Sequence, residues 1–274
     1  EGGSGQTLAI ANATFGSNFA GLSGGGVYIH RPGTSVPSAT VKDTLFEDNH
    51  AEESNPNCMP EISGGGAIHT TVNIMDVEGA TFRNNQTNCA GGAILQTFSG
   101  ILRIRNSVFI GNRAVSVSYN SSNQDGSGGA IYTWGRGTLV VESSLVAGNH
   151  ADRDGGGISD VIGGKLIGVT LVGNTARQGG GVFAIPNTGV LTTKISNSIV
   201  TDNFAGGGSG DNIKPNNPID VVISHSVVQG SNGSGAGWNS ALGVDLGGNI
   251  DVVPGFQNVV PSDPAASNYR LQLC

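Results

Sequence analysis

Aromatic residues make up 5% of this 274-residue chain and charged residues 12%, and acidic groups outnumber basic ones, giving a net charge of −7. A nucleic-acid surface needs basic stripes and stacking rings, so no nucleic-acid partner is expected. Nowhere do 18 apolar residues run together, which excludes a membrane-spanning helix. The opening Glu1-Gly2-Gly3-Ser4 lacks the pattern of a signal peptide. The chain opens inside a repeat and stops at Leu273-Cys274, as a segment of a longer protein would. The five histidines, His30, His50, His69, His150 and His225, fall in different registers and never at zinc-ligand spacing. No glycine run leads into the Lys-Ser or Lys-Thr of a phosphate loop. No metal site and no cofactor are expected.

Glycine, by contrast, is abundant, at 46 residues. It has no three-residue period, which excludes collagen, and regular apolar alternation argues against a disordered linker. Two motifs recur out of phase. The first has its clearest copy in Asn106-Ser107-Val108-Phe109-Ile110-Gly111-Asn112, and its eight copies start 25 to 37 residues apart. The second is a glycine pair before a small or branched apolar residue, as in Gly25-Gly26-Val27, Gly92-Ala93 and Gly156-Gly157-Ile158. A period in this range means stacked units. Two alternating motifs that mark different walls of one coil predict an all-β fold, a parallel β-helix of about eight coils over residues 1–230. A less regular C-terminal extension, 231–274, then covers or extends the stack.

Alternation assigns Leu102, Ile104 and Val108 to the inward face of the fourth coil and Arg103, Arg105 and Ser107 to the outward face. Stacking aligns Phe15, Phe46, Phe82, Phe109, Val146, Leu171, Val200 and Val228 as an apolar spine. It likewise aligns Asn18, Asn49, Asn85, Asn112, Asn149, Asn174 and Asn203 as an amide ladder at a corner, where asparagine tolerates a left-handed turn and bonds its neighbours. In the eighth copy Ser231 stands at the ladder position. The long excursions are 51–62, 115–127 and 205–218.

The pairing of Gly92-Ala93-Ile94 with Phe109-Ile110-Gly111-Asn112 resembles the repeats of chlamydial polymorphic outer-membrane proteins. It is also similar to bacterial surface β-helix proteins of the choice-of-anchor Q type. The resemblance implies a right-handed parallel β-helix, secreted or displayed on the bacterial surface, often adhesive. It supplies no catalytic residue.

An enzyme on such a rod needs carboxylates converging on one wall. The candidates are Asp125, Asp154 and Asp160, with Arg136 and Arg153 near them, though aspartates before glycine runs commonly serve turns. The column Ile29, His69, Leu95, Tyr132, Asp160 and Ala184 is expected to face outward. Gln96, Tyr132, Trp134 and Asp160 are its candidate binding residues, offering rings and an amide to a glycan. Cys58 and Cys89 follow the asparagine corner in consecutive coils, so a disulfide between them is expected, with two free thiols as the alternative. The sequence points to a secreted or surface-exposed, non-enzymatic structural or adhesive module. Expected partners are surface glycans or cell-surface proteins of a host, and secretion or anchoring machinery. The alternatives are a polysaccharide lyase or glycosidase, and a passenger of a secretion system.

Overall fold

The computed structural model describes residues 7–30, 38–54, 58, 63–116, 126–135, 137–159, 163–185, 192–258, 260, 264 and 267–271. These form a right-handed parallel β-helix with four walls. The first wall has nine strands, from Thr7–Ala11 to Val244–Asp245, and the second has eight, from Thr14–Gly16 to Val227–Val228. The third and fourth walls have seven each, Phe19–Ala20 to Phe204–Ser209 and Val27–Ile29 to Ile213–Pro215. Every neighbouring pair within these walls is parallel and comes from consecutive coils. The described residues contain no α-helix.

The fourth coil shows how the sequence produces this path. Ile101–Arg105 alternates as a strand must, with Leu102 and Ile104 fully buried and Arg105 exposed. Asn106 then adopts a left-handed conformation (φ 50°), as do its equivalents Asn12, Asp43, Gly79, Ser143, Gly168, Asn197 and His225. That corner breaks the alternation and corrects the expected facing of two residues. Ser107 turns inward and is buried, while Val108 faces outward and is half-buried. The Ser107 hydroxyl donates to the Arg105 carbonyl (2.7 Å) and accepts the backbone N–H of Ala80 (3.2 Å). Phe109 enters the core, Gly111 makes a second left-handed corner (φ 66°), and Asn112 follows it inward.

The aromatic spine is stacked in register. Phe15, Phe46, Phe82 and Phe109 lie 4.9, 4.9 and 4.6 Å apart, ring to ring, with interplanar angles of 6° or less. The repeat of the backbone ladder, about 4.8 Å, sets this separation, and it falls within the favourable range for offset rings. Beyond Phe109 the same column continues as Val146, Leu171, Val200 and Val228, all fully buried.

Along the corner between the second and third walls, each asparagine Nδ2 donates to the Oδ1 of the next asparagine at 2.8–2.9 Å, from Asn18 through Asn203. The same Oδ1 accepts the preceding asparagine's backbone N–H. From Asn49 onward, the second Nδ2 proton goes to a spine residue's carbonyl one coil back. No polar valence is wasted, as burial requires. The eighth rung departs from expectation. It is Asn212, not Ser231, that accepts from Asn203 (2.9 Å), reached nine residues later through the excursion after Phe204. Ser231 is buried elsewhere, with its N–H on the Val228 carbonyl.

The glycine motif is a triplet rather than a pair. Gly65-Gly66-Ala67 aligns with Gly24-Gly25-Gly26 and Gly91-Gly92-Ala93, because Gly25 N–H meets the Gly65 carbonyl and Gly66 N–H the Gly91 carbonyl. The first position is left-handed (φ 59–71° in six coils) and favours glycine for that reason. The second has ordinary φ but no room. A Cβ on Gly92 would strike the backbone carbonyl of Gly129 in the next coil.

The described residues among 231–271 both extend and cover the rod. Val244–Asp245 adds the ninth rung to the first wall, and Trp238 packs partly buried on the core with its Nε1–H on the Gly243 carbonyl (2.8 Å). The Asp245 carboxylate gathers the N–H groups of Gly235 and Gly247, the Ser234 hydroxyl and the Asn249 amide. These bonds, that of Gly235 foremost, hold its pKa at about 2. Phe256–Asn258 and Asn268–Leu271 then pair antiparallel, and Pro264 sits where a Cβ on Gly148 would point.

Candidate functional site

Two of the residues expected on an open ligand surface, Gln96 and Tyr132, are fully buried. Pairing across the fourth wall aligns Tyr28, His69, Leu95, Tyr132, Ser159, Phe183 and Lys214 as the outward column. Ile29 and Ala184 belong to the inward register, an offset that follows from reading the glycine triplet as a pair. Gln96 is likewise inward and fully buried, its amide without a hydrogen-bond partner among the described residues. Tyr132 faces outward yet has no exposed surface. It forms a second small apolar cluster with Leu95 and Ala90, against which half-buried Trp134 packs. Asp160, Asp125 and Arg136 lie outside the described residues.

The same layer contains the Cys58–Cys89 disulfide, Cα atoms 5.6 Å apart, joining the segments that follow the asparagine corner in coils two and three. It closes a loop of 31 residues, worth about 3.7 kcal/mol through the entropy of the unfolded chain. The intact protein is expected to take no alkylating label at Cys58 or Cys89 without reductant. The Cys58→Ser/Cys89→Ser variant should lose about that much stability in urea titrations; two readily labelled thiols would contradict the bond.

His69 is enclosed in this layer, one ring nitrogen 2.9 Å from the Ser23 hydroxyl and the other 3.3 Å from that of Thr97. Burial first, and the charge of His30 second, hold its pKa at about 3. The unfolded chain protonates its histidine near pH 6.5, so below that it binds more protons than the native state, and stability falls as pH drops from about 6.5 toward 3. The expected slope from this one group is about 1.4 kcal/mol per pH unit well inside that window. Urea midpoints at pH 6.5 and 5 should therefore converge in His69→Gln, and an unchanged difference would assign the slope elsewhere.

Asp154 lies beside Arg177, Oδ1 to Nη2 3.6 Å, too long for a hydrogen bond. Burial pushes its carboxyl pKa up, against the opposing pull of Arg177 and Arg153. Among the described residues no three His, Cys, Asp or Glu side chains gather into a metal cage.

The third wall is open instead. Its outward row reads Phe19, His50, Gln86, Arg113, His150, Thr175 and Phe204, one side chain per coil. Phe19 and Phe204, at its two ends, are 65% and 61% exposed. His150 is held between Thr175 and Asp152, both at 2.8 Å, whereas Arg113 is exposed and makes no ion pair among the described residues. Past Phe204 lies a cleft of about 710 Å³, whose carboxylate and amide groups are largely occupied by the fold. Asp211 accepts the Ala205 N–H and Gln229 that of Asp202. A second crevice, about 830 Å³, separates the second wall at coils four to six from the returning strand Asn268–Leu271.

Two segments, residues 43–71 and 106–133, match the family model of the Chlamydia polymorphic membrane protein (Chlamydia_PMP) repeat. Each match begins at a left-handed corner residue, Asp43 or Asn106, and runs through the asparagine rung and glycine triplet to the fourth-wall strand. No curated protein and no solved structure matches the chain.

Proposed function

We propose, taking as premise that two of its coils match a repeat of Chlamydia membrane proteins, that this chain is a surface-displayed adhesive rod without catalytic activity. On this reading it is a passenger held out from the bacterium, its third wall laid against a glycan or protein of another surface. The observation that carries it is the open outward row, with phenylalanines at both ends and at its centre Arg113, which makes no ion pair among the described residues. Exposed aromatic and arginine side chains on a rigid face are what association surfaces use as anchors. Strands fixed by core and ladder supply that rigidity without any ordering on contact.

Beads coated with the chain test this by retention on cultured epithelial cells under flow. Arg113→Glu/Phe204→Ser, with unchanged melting, is expected to abolish retention. Full retention by that variant would overturn the assignment of the third wall.

One observation favours a carbohydrate-active enzyme as the second reading. The raised pKa of Asp154 is what a general acid needs, and Arg153 and Arg177 stand beside it. Release of reducing ends or unsaturated products from acidic polysaccharides, lost in Asp154→Asn, would establish that reading and displace the first.

A further inference from the structure

The crevice beneath the C-terminal strand has the makings of a small-ligand site that the adhesive reading does not use. Its floor is the outward side of the second wall, where Val108 and Leu145 stand half-buried beside the corner residues Asn106 and Ser143. Its roof is the strand that carries Tyr269 and Arg270. The roof is braced: the Tyr269 ring packs edge-on against Phe256 (5.6 Å, 87°), and Asn268 Nδ2 donates to Gln257 Oε1 at 2.7 Å. Neither the Asn106 amide nor the Ser143 hydroxyl is engaged by another described group, and the Arg270 guanidinium makes no ion pair among the described residues. A volume of about 830 Å³ lies within the range of small-molecule sites.

We infer that this crevice binds a carboxylated sugar, the acidic unit of a glycan. Each chemical feature of such a ligand has a counterpart on these walls. The apolar face of the sugar ring lies on Leu145 and Val108 opposite the Tyr269 ring. Its hydroxyls meet Asn106 and Ser143, corner positions whose left-handed backbone (φ 50° and 47°) is fixed by the fold. Its carboxylate faces the Arg270 fork, which takes two carboxylate oxygens in one plane. A neutral sugar leaves that guanidinium unmatched, and a bare carboxylate leaves the apolar floor uncovered.

Saturation-transfer NMR on the full chain, with glucuronic acid and N-acetylneuraminic acid set against glucose and N-acetylmannosamine, tests the inference. Transfer to the acidic sugars alone is expected, with affinity by titration calorimetry falling about ten-fold in Arg270→Gln and less in Arg270→Lys. Tyr269→Ala is expected to weaken both acidic sugars alike. Both positions lie outside the rod core, so unchanged melting confirms that the variants remain folded. Equal transfer to the neutral sugars, no transfer at all, or an unaffected Arg270→Gln would each overturn it. The Arg113→Glu/Phe204→Ser variant should bind the acidic sugars normally, so failure of the adhesive wall and failure of this site are separately visible.

Discussion

Replacing Asn112 by alanine is expected to remove about 4 kcal/mol of stability, near the upper end for one side chain. The residue has no exposed surface and is engaged on every side. Its Oδ1 accepts both the backbone N–H and the Nδ2–H of Asn85, while its own amide donates to Asn149 and to the Phe82 carbonyl. Alanine strands two donors of Asn85 in the interior, where no water replaces the lost acceptor, and each costs about 1–3 kcal/mol. Asn18→Ala is the internal control. Asn18 is exposed and only donates to Asn49, so its loss should cost less than about 1 kcal/mol. Urea denaturation of the two variants measures the contrast, and equal losses would show that the ladder is not additive along the rod.

Phe82→Ala is expected to cost about 4 kcal/mol by opening a cavity in the stacked core. Phe82 touches a ring on either side, Phe46 at 4.9 Å and Phe109 at 4.6 Å, so truncation removes two aromatic contacts together with the buried surface. Phe82→Leu should cost only about 1.5 kcal/mol, since the same column accepts Leu171 three coils further on without disturbing the path of the wall. Thermal and urea unfolding report both values. A leucine variant as unstable as the alanine one would mean that ring stacking, rather than filled volume, holds the first four coils in register.

The fold was legible because parallel stacking forces equivalent residues of successive coils into contact. A phenylalanine, valine or leucine every coil and an asparagine three residues after it therefore encode register as well as structure. What escaped was everything that depends on direction at a corner. Asn106 looks like any polar residue between two strands, yet its left-handed backbone reverses the facing of Ser107 and Val108. The glycine triplet contains two physical demands, positive φ and close approach, and reading it as one pair shifted the outward column in half of the coils. Tyr132 illustrates a third limit. Its strand position is outward, but Leu95, Ala90 and Trp134 bury it, and alternation carries no information about what a loop will cover. Asn212 escaped because its rung is supplied by an excursion within the seventh coil rather than by an eighth coil. The open third-wall row was hidden in plain composition: Gln86, Arg113, His150 and Thr175 share no residue type, and only register reveals them as neighbours.

The amide ladder gives the rod a mechanical polarity. At the C-terminal end it is closed, since Asn212 passes its own proton to Gln229, Asp211 secures the N–H of Ala205, and Pro215 presents no N–H at the edge of the fourth wall. Among the described residues of the first coil, Leu8, Phe19, Leu22 and Tyr28 are more than 40% exposed. Under tension such a rod yields one coil at a time, because each coil touches only its neighbours. Every coil released pays out roughly 30 residues, about 100 Å of extended chain. A rod of this kind lengthens in steps under load, and the Cys58–Cys89 bridge sets a stop within the second and third coils.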